Sequence, residues 1–99
     1  MYAVIFIYEK GSDLEGYSEM DTYTIELAKE HPGYIKHSFA GDGQKNIFIS
    51  YWESMEHIEA WKKHPVHLQA KAEGKKRWYK WYISQICKVE HSHEMMPNP

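Results

Sequence analysis

The segment from Tyr51 to Tyr82, YWESMEHIEAWKKHPVHLQAKAEGKKRWYKWY, limits what this chain can fold into more than any other. It holds all four tryptophans, and Pro65 stands near its middle between His64 and Val66-His67. A proline inside a helix removes a backbone donor and crowds the preceding turn, yet it enters the first turn of a helix without loss. The segment therefore reads as a strand end, a short helix, a break at Pro65, a second helix and an aromatic run into another strand. Ser54 is placed to cap the first helix, its hydroxyl accepting from a free amide of the first turn. Glu53 and Glu56 add negative charge where a helix start favours it. Ile58 and Trp61, three residues apart, share one helix face. This segment is expected to form one wall of whatever site the protein has.

The remainder supplies a sheet for those helices to cover. Tyr2 to Glu9 is an unbroken apolar run rich in β-branched and aromatic residues, the pattern of a central strand. Gly11 and Ser12 end it, and Ser12 or Asp13 is placed to cap a helix. In that helix Tyr17, Met20, Tyr23 or Thr24, and Leu27 repeat every three or four residues, with Glu19, Glu26 and Lys29 elsewhere. His31-Pro32-Gly33 stops it. Tyr34 to Ala40 is a second strand, Gly41-Asp42-Gly43 a hairpin turn, and Asn46 to Trp52 a third strand. In the third, Ile47, Ile49 and Tyr51 lie on one face and Phe48, Ser50 and Trp52 on the other. Tyr82 to Glu90 is a fourth. Strand, helix, strand, strand, helix pair, strand predicts an α+β ferredoxin-like sandwich, four strands with helices on one face. The other face is too apolar to stay wet, so two copies are expected to stack their sheets in a homodimer. Residues 1–90 make one domain and 91–99 a flexible tail.

Composition excludes several classes. A formal charge of −2 leaves no basic footprint for nucleic acid. Mean hydropathy is −0.71, and no apolar run approaches the ~20 residues that span a bilayer, so no membrane role is expected. The opening MYAVIFIYEK lacks the basic flank and cleavage site of a signal peptide and reads as a strand. The one cysteine, Cys87, fits a reducing cytoplasm and reads as a small apolar residue on a half-buried strand. His64 and His67 have no evident third partner for a metal, and His91, His93, Met95 and Met96 suggest metal binding by composition alone; no metal site is expected.

With these pieces placed, the chain resembles the antibiotic biosynthesis monooxygenase (ABM) family over about residues 2–90. The carriers are AVIF in the first strand, ELAKEHPGY at the end of the first helix, SYWES, the IEAWK helix with its following HPVH, and WYKWY. The spacing from Trp52-x-Ser54 to Trp61 is the most specific of them. The resemblance implies a dimeric α+β barrel with a pocket between helices and sheet in each subunit. Its haem-degrading branch uses an Asn, a Trp and an iron-ligating His. Trp61 matches the Trp, but the Asn position falls at about Ile7, with Ile5 on the same face, and the ligand position falls on Lys71. A lysine ammonium has no lone pair for iron, so haem is not expected, although His67 one turn earlier offers a substitute ligand. The quinol- and phenol-oxidising branch needs neither metal nor flavin. A deprotonated electron-rich phenol can pass an electron to oxygen, so the protein need only bind, desolvate and deprotonate it. By this resemblance His67 and His64 are the candidate catalytic bases, and Trp61, His57, Ile5 and Ile7 the candidate substrate-binding residues. His57 takes the place of a polar residue one turn before the tryptophan. The expected function is a cofactor-independent monooxygenase acting on a small aromatic or quinol-like substrate. The alternatives are a non-catalytic or stress-related dimer that holds a small ligand, and a divergent haem binder. Trp61 as a core plug, Lys71, Lys75, Lys76 and Arg77 as a solvated face, and Tyr79, Trp81 and Tyr82 as dimer-interface residues complete the expectations.

Overall fold

The computed structural model describes residues 1–97. Strand β1 is Tyr2–Lys10, helix α1 Tyr17–Glu30, β2 Tyr34–Gly41, β3 Lys45–Trp52, α2 Met55–Lys62, α3 Pro65–Glu73 and β4 Tyr79–Lys88, with a π-helical turn at Gly74–Trp78. The sheet is antiparallel in the order β2-β3-β1-β4. This is the α+β ferredoxin-like arrangement. No helix of the described residues is long and apolar enough to cross a membrane.

Two element starts differ from the sequence reading by three residues or more, and other ends by one or two. The first helix starts at Tyr17, because Gly16 at φ 80° turns the chain into it; the Asp13 carboxylate instead accepts from the Glu15 amide, 3.3 Å away. The last strand starts at Tyr79 rather than Tyr82. The Gly11 amide donates to the Trp78 carbonyl at 2.8 Å, which ties the end of β1 to the exit of the π-helical turn and lets pairing begin at once.

Strand alternation sends Val4, Phe6 and Tyr8 of β1 under the helices and Ile5 and Ile7 to the open face. Ile7 stands opposite Ile47 on one side and Ile83 on the other, while Ile5 stands opposite Ile49 and Gln85. This open face carries exposed aliphatic surface, Ile83 being 48% exposed. Under the helices Trp52, Ile58 and Trp61 form the core, with Tyr2, Val4, Leu27, Ala28, Tyr34 and Met55 packed against them. On α1 the choice between Tyr23 and Thr24 falls to Thr24, since Tyr23 is 54% exposed. After β4, the Val89 amide donates to the Met1 carbonyl at 3.0 Å and Glu94 meets Lys36 at 3.3 Å. Residues 89–94 thus lead from the β4 edge of the sheet to the β2 edge; positions 98 and 99 lie outside the described residues.

Candidate functional site

Between the helices and the sheet lies a cavity of about 520 Å³. Tyr17, Asp21, Thr24 and Ala28 line it from α1 at helical spacing. Eleven residues separate the first from the last of them, about 16 Å of helix at 1.5 Å per residue. The floor is Phe6, Tyr8, Phe48, Ser50, Trp52 and Tyr82, and the far wall is Ile58, Trp61, Lys62, His67 and Lys71. A second hollow of about 600 Å³ sits outside, among Lys10, Gly11, Lys76, Arg77 and Lys80. Its cations are largely spoken for: Arg77 meets Glu73 at 2.8 Å and Asp13 at 3.7 Å, and Lys80 meets Glu9 at 3.5 Å. The aromatic cavity is the candidate site.

His67 lines this cavity, with its ring centre 5.2 Å from that of Trp61. Its Nδ1 is buried and meets no hydrogen-bond partner among the described residues. Burial lowers its pKa below the ordinary histidine value, and the charges of Lys71, His64 and Lys62 act in the same direction, against the Lys62 carbonyl. The imidazole is therefore neutral near pH 7. Only one other buried side-chain polar atom among the described residues lacks a partner, the Thr24 hydroxyl, and it too belongs to a cavity residue. Buried polar groups are nearly always paired. Among the described residues, both unpartnered atoms belong to residues that line one cavity.

The other expected site residues separate. Trp61, 7% exposed, is core and cavity wall at once. His64 does not line the cavity; its Nδ1 accepts from the Val66 amide at 3.1 Å, so it caps α3 beside the proline break, with its ring 5.2 Å from Trp61. His57 does not line it either. The Ser54 hydroxyl and His57 Nδ1 are 2.7 Å apart, and the His57 ring covers Gly33, where an added Cβ would lie 2.2 Å from His57 Cγ. Placing Ile5 and Ile7 at a pocket needs correction, because alternation turns both to the open face and gives the cavity Val4, Phe6 and Tyr8 instead.

Several cavity residues were not singled out from sequence. The Tyr34 hydroxyl and His37 Nδ1 share a hydrogen bond, and the His37 ring stacks on Phe48 at 5.3 Å. Three residues apart on a regular strand, Tyr34 and His37 would face opposite ways. A bulge between Tyr34 and Lys36 brings both to the helix side. Tyr8 and Tyr17 share a hydroxyl–hydroxyl bond of 3.1 Å, with Tyr79 packed edge-on against both rings. Burial raises all three phenol pKa values, and Asp21 adds to it. These tyrosines stay protonated. Among the described residues, no group of three or more His, Cys, Asp or Glu is placed to hold a metal.

The sequence profile of the antibiotic biosynthesis monooxygenase family matches residues 18–73. The chain belongs to the antibiotic biosynthesis monooxygenase family. The uncharacterized protein YqjZ of Bacillus subtilis is 34% identical over 99 residues, covering 98% of this chain and 86% of its own. In fold, the ABM chain is similar to Rv0793 of Mycobacterium tuberculosis, with a TM-score of 0.80 at 12% identity over 94% of this chain and 98% of that one. It is also similar to SnoaB, a cofactor-independent oxygenase from Streptomyces nogalater, with a TM-score of 0.77 at 8% identity over 92% and 94% of the two chains.

Within this ABM frame the positions that the haem-degrading branch uses come apart. Lys71 lines the cavity while Ile7 lies on the other side of the sheet. What the cavity does combine is flat aromatic surface, a neutral imidazole and two lysines on the imidazole's wall. That set can enclose an aromatic ring, accept a proton from it and stabilise the anion left behind.

Proposed function

We propose that this chain is a cytoplasmic, cofactor-independent monooxygenase that oxidises a small phenolic or quinol-like aromatic molecule in the cavity between helices and sheet. The observation that carries the reading is a neutral His67 on the wall of an aromatic cavity, beside Trp61. Trp61, Phe6 and Phe48 hold the substrate ring, and His67 takes the phenolic proton. Lys62 and Lys71 favour the phenolate, offsetting the weakness of a base with a lowered pKa. The phenolate passes an electron to dioxygen, and recombination forms a carbon–oxygen bond at a hydrogen-bearing ring carbon ortho or para to the phenolic oxygen. Loss of water from the resulting peroxide gives the quinone. The balance is one phenol plus one O2 to one quinone plus one water. The substrate supplies all four electrons, so no reductant is required. The shared fold with SnoaB, a cofactor-independent oxygenase, supports this choice. The working unit is a homodimer joined through the open sheet faces.

The test is oxygen uptake with a panel of hydroquinones and polyphenols, with no metal or flavin added. One O2 consumed per quinone formed is expected, with one atom of that O2 retained in the quinone and no hydrogen peroxide released. Positioned proton transfer contributes about 10²–10⁴-fold, so His67→Ala should slow turnover by at least about 10²-fold while His91→Ala leaves it alone. If no phenol in the panel consumes oxygen above the protein-free rate, the non-catalytic ligand-binding reading replaces this one.

A further inference from the structure

We propose that His37 is a second proton-handling residue of the cavity, one that breaks the carbon–hydrogen bond of the peroxide intermediate and returns that proton to the oxygen that leaves as water. The step rests on the phenol oxidation set out above and is one that His67 leaves open. His37 and Tyr34 both line the cavity from β2. They do so only because of the bulge between Tyr34 and Lys36, and a bulge beside a site characteristically re-aims a side chain. The imidazole is fixed on two sides: its ring stacks on Phe48 at 5.3 Å, and its Nδ1 shares a hydrogen bond with the Tyr34 hydroxyl. Tyr34 is held in turn by Trp52, whose ring lies edge-on to it at 5.8 Å. A histidine held through one nitrogen by an orienting hydroxyl, with the other left to the cavity, has the arrangement of a base and its orienter.

The oxidation has two proton steps of different kinds. His67 takes the phenolic proton and gives it to the peroxide anion once the carbon–oxygen bond has formed. That restores a neutral His67 and leaves a hydroperoxide on a ring carbon that still bears its hydrogen. To reach the quinone, this C–H bond must break. Its electron pair becomes the second bond of the new C=O as the O–O bond breaks, and the O–O pair leaves with hydroxide. Hydroxide and the abstracted proton make the one water in the balance, so no further oxidant or reductant enters. His37 takes and returns the proton at one atom, Nε2, while its Nδ1–H donates to the Tyr34 oxygen. It ends the step as it began.

The other polar groups of the cavity suit this step less well. Burial keeps Tyr8, Tyr17 and Tyr79 protonated, and the ammonium groups of Lys62 and Lys71 carry no lone pair. Burial also raises the Tyr34 pKa, so Tyr34 stays a neutral hydroxyl and orients the imidazole rather than competing with it. Burial raises the Asp21 pKa, while Lys10 and then His37 lower it, so this carboxylate and the imidazole are close enough to feel each other's charge. The imidazolium formed in the step has a carboxylate near it.

Oxygen uptake and quinone formation are followed side by side in a single turnover, with protein in excess over the best phenol of the panel. In the wild type the two should run together. In His37→Gln quinone formation should fall behind oxygen uptake by at least about 10²-fold, the low end for positioned proton transfer. Triphenylphosphine added at an acid quench should then be oxidised, marking a hydroperoxide, and deuterium at the reacting carbon should slow the quinone further. Tyr34→Phe keeps the imidazole but loosens it, and should show a smaller lag. His67→Ala should slow both signals together, with no lag between them. Quinone that keeps pace with oxygen in either β2 variant overturns the proposal. So does equal slowing of both signals without hydroperoxide in variants that keep the wild-type circular dichroism. A lag in Asp21→Asn but not in His37→Gln overturns it too, and gives the step to the carboxylate. A wild type that consumes no oxygen removes this step along with the whole reaction, whereas oxygen uptake without a lag removes the step alone.

Discussion

Thr24 is a threonine in mid-helix whose hydroxyl bonds to nothing among the described residues. A helical threonine commonly donates to the carbonyl one turn back. This one is buried without doing so, which leaves it a liability to the free protein. Replacing it with valine keeps the shape and removes the orphan. Thr24→Val is expected to stabilise the ligand-free protein by about 1 kcal/mol, a rise of about 4–8 °C in melting temperature for a domain of this size. A melting curve that stays put or moves down would mean the hydroxyl has found a partner. His67 carries the second expectation at this scale. Its folded-state pKa lies below the ordinary value, so as pH falls the unfolded chain takes up the proton first. Stability is then full above about pH 6.5 and declines from there towards the folded pKa. The acid limb of kcat/KM for phenol oxidation should likewise fall below pH 6.5, and a limb above it would assign the base to another group.

At the scale of elements, the α1–β2 turn and the start of α2 are locked together by Gly33. It sits at φ 94°, its carbonyl accepts from the Glu53 amide at 2.8 Å, and the His57 ring occupies the space a side chain would need. Gly33→Ala should cost about 1–2 kcal/mol for the conformation alone, with the collision against His57 in addition. In denaturant titrations His57→Ala in the Gly33→Ala background should recover only part of the collision, since the Cβ at position 57 would still lie too close to the added one; a silent Gly33→Ala would refute this packing. The cap at Ser54, the break at Pro65 and the pairing of Ile58 with Trp61 were legible in the sequence because each is a local signal within one turn. The phase of β1 was not. An unbroken apolar run presents the same residue types to both faces, so Ile5 and Ile7 could be turned to the cavity as readily as Val4 and Phe6. His57 and His64 looked functional by their spacing to Trp61, but each spends its Nδ1 on a local hydrogen bond at a helix start. The tyrosine cluster draws on three elements and His37 depends on a bulge, and neither leaves a mark of fixed spacing.

For the whole molecule, the row Ile83–Ile7–Ile47 across three adjacent strands is the centre of the open face. In the proposed dimer this row would exclude water from both copies, and a carboxylate placed there would be buried against apolar surface without a partner. The wild type should sediment as a dimer at micromolar concentration and Ile7→Glu as a monomer with its helical signal intact. A monomeric wild type would remove the barrel. The strand order has a further consequence, for synthesis. β1 leaves the ribosome first, yet both of its neighbours, β3 and β4, are made much later, and Tyr2 pairs with Lys88. The run AVIFIY must wait for almost the whole chain before its backbone finds a partner on each side. Pairing at such separations is slow, and an unpaired apolar strand is prone to stick to others like it. The β1 edge of the sheet therefore stays open until the last strand, β4, arrives.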